Sequence, residues 1–193
     1  MIIRKMFKFE NTHIVRGCST KRCRTSIHGH SYKVEVLFES TTLDNAQMVY
    51  DFGLMKGGMQ DLIESFDHSV TLWNKDDEGY IAAMKKYSDR WVELPVSPTA
   101  EQFARIIFLM VDLLLTNTVF VNGEGKISVN SVIVHETDRG YAKAEVKDVY
   151  SEVMGTISPN DIVFSKGVME DWSDNDLWRK ILSGKQIINP KIV

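Results

Sequence analysis

Cysteine is nearly absent from this chain. Cys18 and Cys23 are the only two in 193 residues. They lie too close in sequence to tie distant parts of a fold, so both are expected as free thiols in a reducing, cytoplasmic setting. No run approaches the ~18 apolar residues of a membrane helix, and no membrane partner is expected. The opening Met-Ile-Ile-Arg-Lys-Met-Phe-Lys-Phe-Glu is interrupted by charge every two or three positions, unlike a signal peptide. Neither sign of charge dominates: 23 Lys and Arg stand against 26 Asp and Glu, for a net charge of -3. Without a basic stripe, a nucleic-acid partner is not expected, although a local site could still take an anionic substrate. There is no internal repeat of short period. The length favours one domain with an appendage, and a chain this long buries enough apolar surface to need no disulfide.

Alternation is the first pattern present. Phe7 and Phe9 flank Lys8, predicting a strand over residues 4–13 that ends near His13. Residues 14–27 are polar, basic and irregular, a loop. Val34, Val36 and Phe38 alternate with Lys33, Glu35 and Leu37, predicting a second strand over 28–40, antiparallel to the first. Asp51 can cap a helix beginning at Phe52, with Met55, Met59, Leu62, Ile63 and Phe66 at helical spacing; Gly57 and Gly58 weaken it. Residues 74–90 are charged and hold a short helix around Ile81–Tyr87. Thr99 with Gln102 reads as a capping box opening a helix with the stripe Phe103, Ile106, Ile107, Met110, Leu113 and Leu114. Strands follow over 126–136 and 141–148, joined by a tight turn at Gly140. The order of two strands, two helices, two strands predicts an α+β domain: a four-stranded antiparallel sheet with two helices on one face. That domain spans residues 1–149. Residues 150–193 form a C-terminal extension, with a helix over Asp174–Leu182, Gly184 at its end, and an apolar face of Trp172, Trp178, Ile181 and Leu182 that docks on the domain or on a neighbouring subunit.

Chemistry concentrates on histidine. His28 and His30 flank Gly29 at the start of a strand, where positions i and i+2 share a face. His13, on the adjacent strand, supplies a third corner. Three neutral imidazoles suit a catalytic Zn²⁺ with one position left open. Cys23 lies five residues before His28 in a loop with Arg16, Lys21, Arg22 and Arg24. Such surroundings favour a thiolate, which could serve as fourth ligand, nucleophile or general base; Cys18, in the same loop, is its rival. Asp67-His68 follows the first helix and could form a carboxylate–imidazole pair. Glu136 closes a strand, and in a pocket its carboxylate could accept from the amidine-like N–H pair of a pterin or guanine ring.

These residues together resemble the tunnelling-fold pterin synthases, the family of 6-pyruvoyl- and 6-carboxy-5,6,7,8-tetrahydropterin synthases. The matching pieces are Phe9-Glu10-Asn11-Thr12-His13, Cys23 with His28-Gly29-His30-Ser31-Tyr32, Tyr50-Asp51-Phe52, Phe66-Asp67-His68, Pro98-Thr99-Ala100-Glu101 and Val134-His135-Glu136-Thr137. They occur in the family's order across residues 1–146. The resemblance implies zinc ligation by His13, His28 and His30, a catalytic base at Cys23, a proton relay at Asp67 and His68, and a pterin anchor at Glu136 that joins the relay, with Thr99 beside the substrate. It implies a homo-oligomeric barrel, commonly a hexamer, with active sites between subunits, and 7,8-dihydroneopterin triphosphate as substrate. The segment 66–104 favours the bacterial branch, which yields 6-carboxy-5,6,7,8-tetrahydropterin with loss of acetaldehyde and triphosphate and feeds queuosine synthesis. The rivals are the pyruvoyl-type enzyme, a non-catalytic zinc- or pterin-binding module, and a zinc hydrolase. In the common bacterial form the cysteine stands four residues before His-Gly-His, one fewer than here.

Overall fold

The computed structural model describes residues 1–189. Its larger sheet contains β1 (Ile2–His13), β2 (His28–Glu39), β3 (Ser69–Trp73), β4 (Trp91–Leu94), β6 (Ser128–Thr137), β7 (Gly140–Glu145) and β8 (Val163–Phe164). A small parallel pair joins β5 (Thr118–Val119) to β9 (Ile187–Ile188). The helices are α1 (Lys21–Thr25), α2 (Gly58–Glu64), α3 (Glu78–Tyr87), α4 (Ala100–Thr116), α5 (Val146–Val149), α6 (Lys166–Glu170) and α7 (Leu177–Leu182).

The four expected strands form one half of the large sheet, ordered β7-β6-β2-β1 and antiparallel throughout. The sheet does not stop there, which corrects the four-stranded expectation. β3 pairs parallel to β1, β4 parallel to β3, and β8 antiparallel to β4, giving seven strands. The added strands are two to five residues long, too short for alternation to reveal them.

Alternation in β1 and β2 does what the sequence suggested. Phe7, Phe9, Tyr32, Val34, Val36 and Phe38 are buried on one face. That face packs against α2 and α4. Phe103 of α4 meets Phe9, Tyr32 and Phe66 with ring centroids 5.9, 5.1 and 5.2 Å apart, distances at which aromatic pairs add to simple area burial.

The first helix is shorter than expected. Asp51 does not cap it: its Oδ1 accepts from the Gly53 amide at 2.7 Å and builds a turn, and helix begins only at Gly58. Two adjacent glycines, Gly57 with φ +91°, account for the delay. At α4, Thr99 caps the Gln102 amide at 3.4 Å, but the Gln102 side chain accepts from Arg105 instead of completing the box. Buried Arg105 donates to the carbonyls of Asp148, Val149, Met154 and Gly155, fastening α4 to the chain after β7. The strand expected over 141–148 ends at Glu145 and gives way to α5.

The extension packs against the domain. Phe164, Trp172, Trp178 and Ile181 are buried in the same continuous core as α4. Leu182, expected on that face, is exposed. The helix expected from Asp174 starts at Leu177, because Asp174 caps the turn before it and pairs with Lys180. Gly184 ends it with φ +69°. Residues 190–193 of the extension lie outside the described residues. No helix among the described residues is long and apolar enough to cross a membrane.

Candidate active site

The antiparallel register of β1 and β2 sets His13 directly opposite His28. His30 follows two residues along the same face. Gly29, between them, presses on β1: a Cβ there would lie 2.8 Å from the Asn11 carbonyl oxygen, so only glycine permits this approach. Asn11 is buried and donates to the carbonyls of Phe66 and Ser69, which fixes the end of β1 against the turn carrying Asp67 and His68.

One ring nitrogen from each histidine lies within 4.8 Å of the other two; among the described residues no other such group of metal-binding side chains forms. Zn–N bonds near ~2.05 Å require edges of roughly 3.3 Å, a short inward movement. The protonation states suit a metal. His13 Nδ1 lies 2.6 Å from the Pro98 carbonyl and His28 Nδ1 lies 3.0 Å from that of Ser26. A carbonyl only accepts, so each Nδ1 carries the proton and each Nε2 presents a lone pair. His13 Nε2 is buried without a hydrogen-bond partner, an orphan that a cation would satisfy. Burial lowers the His13 pKa to about 4, assisted by the nearby His28 and His30 and opposed by the bond to Pro98. The ring is therefore neutral at pH 7, as a ligand must be.

A cavity of about 340 Å³ adjoins the histidines. His28, His30, Cys23, Cys18, Thr99 and Glu136 all line it. Glu136 Oε1 stands 3.7 Å from His30 Nε2 and 4.0 Å from His13 Nε2. It also accepts from the buried Tyr32 hydroxyl at 3.3 Å. Burial, and then Glu136, push the Tyr32 phenol well above its ordinary pKa, so it stays a neutral donor. Two of the loop cations expected around Cys23 are engaged elsewhere: Arg16 pairs with Asp76, and Arg24 donates to the Cys18 carbonyl.

Asp67 and His68 form the expected pair, with His68 Nδ1 2.8 Å from Asp67 Oδ2. The Glu10 amide holds the other carboxylate oxygen at 2.7 Å. The pair does not line the cavity of Cys23 and Glu136. Both residues border one hollow shared with Arg90 and Trp172, and His68 alone also borders another, with Ser31 and His30. The His68 side chain is 77% exposed, so within one chain its ring is directed largely to solvent.

A family model described as 6-pyruvoyl tetrahydropterin synthase matches residues 2–147. The chain belongs to this family. A 6-carboxy-5,6,7,8-tetrahydropterin synthase of Helicobacter pylori is 38% identical over 187 residues, covering 96% of this chain and 94% of that one. An aligned length of 187 exceeds the domain, so the likeness runs into the extension. Among solved structures, an uncharacterized protein of Wolinella succinogenes has a TM-score of 0.55 at 19% identity, over 76% of this chain and 98% of its own. The 6-pyruvoyl tetrahydropterin synthase of Caenorhabditis elegans has a TM-score of 0.50 at 20% identity, over 75% and 94%. At such identities these two structures speak for the fold alone.

For this member of the 6-pyruvoyl tetrahydropterin synthase family, sequence reasoning missed three contributors. Tyr32 falls two positions after His30, so strand alternation would have put it on the same face. Glu101 and Tyr141 also line the cavity. Glu101 stood in the motif after Pro98 without a role, and Tyr141 carried no signal beyond opening a strand. The carbonyl that orients His13 belongs to Pro98, and no side-chain pattern reports a main-chain acceptor.

Proposed function

We propose that this chain is a zinc-dependent lyase that converts 7,8-dihydroneopterin triphosphate and water to 6-carboxy-5,6,7,8-tetrahydropterin, acetaldehyde and triphosphate. The observation that carries the reading is one cavity bringing together two of three converging imidazoles, a thiol and a carboxylate held by a buried phenol. The name of the Helicobacter pylori relative supports the carboxy-forming branch.

In this reading His13, His28 and His30 hold zinc, which supplies Lewis-acid polarisation of side-chain hydroxyls. Glu136 accepts the paired N–H groups of the pterin ring, with the Tyr32 hydroxyl fixing the direction of its carboxylate. Cys23 is the base that removes a proton from the substrate side chain. Asp67 accepts from His68 Nδ1 and leaves Nε2 to exchange a second proton. The exposure of His68, and its separation from the Cys23 cavity, support an oligomer in which the pair serves an adjacent subunit's cavity. The edge strands β7 and β8 are available to extend the sheet into another chain, as a barrel-forming hexamer would require.

The test is product analysis after incubation with 7,8-dihydroneopterin triphosphate. Acetaldehyde released in step with triphosphate is expected. Triphosphate without acetaldehyde would assign the pyruvoyl-type reaction, and neither product would leave a binding module.

A further inference from the structure

Arg90 grips the backbone on both sides of His68. Its Nε donates to the Asp67 carbonyl at 3.0 Å and its Nη2 to the Glu64 carbonyl at 3.1 Å. Its own carbonyl accepts the Val70 amide at 3.1 Å. Between these two points His68 has φ +49°, a left-handed conformation uncommon for residues other than glycine. Such a conformation persists only where its surroundings over-determine it. On the β1 side the turn is held by the His68 amide, which donates to the Glu10 carbonyl at 2.8 Å, by the Glu10 amide on Asp67, and by Asn11 on the Phe66 and Ser69 carbonyls.

The C-terminal extension in turn holds Arg90. Arg90 Nη1 donates to the Gly167 carbonyl at 3.4 Å and to the Asp171 carboxylate. The fit there is close. A Cβ on Gly167 would lie 2.4 Å from Asp89 Oδ2 and 2.7 Å from the Asp89 carbonyl, so only glycine lets α6 sit against the residue before Arg90. On the other flank Ser165 exchanges bonds with Trp91: the Trp91 amide donates to Ser165 Oγ at 3.1 Å, and the Ser165 amide to the Trp91 carbonyl at 3.0 Å. Trp172 Nε1 donates to Ser65 Oγ at 3.0 Å, just beyond the end of α2.

We propose that Arg90 is a positioning residue for the Asp67–His68 pair, and that the extension holds Arg90 in its working position through Gly167 and Asp171. The inference rests on the reading above that this pair moves protons. The extension thereby acts on turnover without touching substrate. A lysine cannot replace Arg90, because one ammonium cannot reproduce a planar fork that serves both domain carbonyls and the extension. A purely structural network would instead change stability and leave the pH dependence of turnover alone.

The experiment uses the full-length, metal-loaded protein with 7,8-dihydroneopterin triphosphate. Arg90→Lys and Gly167→Ala are compared with His68→Ala, after metal content and assembly are matched to the parent. The pair reading requires His68→Ala to lose most turnover. The clamp then requires Arg90→Lys to lower kcat roughly tenfold to a hundredfold, as small misplacements of a reacting group do. KM should change less than about threefold, the pH profile of kcat should shift, and Gly167→Ala should move both in the same direction. Inactive His68→Ala beside Arg90→Lys and Gly167→Ala with parental kcat and pH profile overturns the clamp alone. A fully active His68→Ala overturns the proton-relay reading, and the clamp with it. Should Arg90→Lys fail to fold, Asp171→Asn, at an exposed position, carries the same two outcomes.

Discussion

The Pro98 carbonyl lies 2.6 Å from His13 Nδ1, joining residues 85 apart in the chain. Pro98 precedes Thr99, the cap of α4, so the start of that helix sets the tautomer of a strand histidine. The ring is thereby turned with a bare Nε2 toward His28 and His30. The purified protein should contain about one zinc per chain, and His28→Ala or His30→Ala should lose most of it. Full zinc in both variants by elemental analysis would remove these histidines from the metal site.

Glu136 has its carboxylate fixed by Tyr32 and faces the cavity beside His30. Glu136→Gln keeps the size and loses the charge. A charge-assisted hydrogen bond contributes about 1.5–3 kcal/mol, so kcat/KM should fall tenfold or more while zinc remains bound. Parental kinetics in this variant would take Glu136 out of pterin recognition.

The two thiols line the same cavity, so position alone does not separate them. Their tethers do. The Cys23 carbonyl accepts the Val15 amide at 3.1 Å, two residues after His13, while the Cys18 thiol is spent on the Thr20 carbonyl at 3.3 Å. Cys23→Ala should retain its zinc and fold but lose turnover by ~100-fold or more, as removal of a general base does. Cys18→Ala should retain most activity. The reverse pattern moves the role to Cys18, and loss of zinc in Cys23→Ala would make that thiol a ligand.

His13 gives the metal-free protein a definite pH response. Its folded pKa, about 4, lies below the ordinary 6.5. Between those values the unfolded chain binds a proton that the folded chain refuses. Stability is therefore full above about pH 6.5 and falls as the pH drops toward 4, by about 3 kcal/mol from this group. Urea unfolding of metal-free protein at pH 7 and pH 5 should show the loss, and His13→Gln should flatten it. An equal loss in that variant would assign the acid sensitivity to other groups.

The half of the sheet that carries the histidines was legible because β1 and β2 are long and alternate strictly. That one pattern placed Phe7, Phe9, His28 and His30, and the register followed from the pairing. β3 and β4 escaped because they are only five and four residues long, and because β3 buries the polar Ser69 and Thr71 where alternation would call for apolar residues. The Asp51 helix start failed for a different reason: a side chain that caps a helix equally well caps a turn, and the glycines that follow decide between them. The pairing of Asp67 with His68 was legible as a possibility, but its separation from Cys23 was not, since sequence order says nothing about which side of a sheet a turn emerges on. The hold of Arg90 on main-chain carbonyls left no trace in residue type at all.

The extension gives the last test. Trp172 is buried, its ring centroid lies 5.0 Å from that of Phe164, and its indole N–H donates to Ser65 Oγ. Trp172→Ala removes the ring from a core continuous with α4 and leaves the Ser65 hydroxyl without this donor. Such truncations cost about 3–5 kcal/mol. Trp172→Phe keeps most of the apolar volume and loses the hydrogen bond, so it should cost distinctly less. Urea unfolding at one fixed protein concentration, to hold any assembly constant, measures both. If Trp172→Ala cost under about 1 kcal/mol, the extension would be a loosely attached surface segment, and the rigid support inferred for Arg90 would lose its footing.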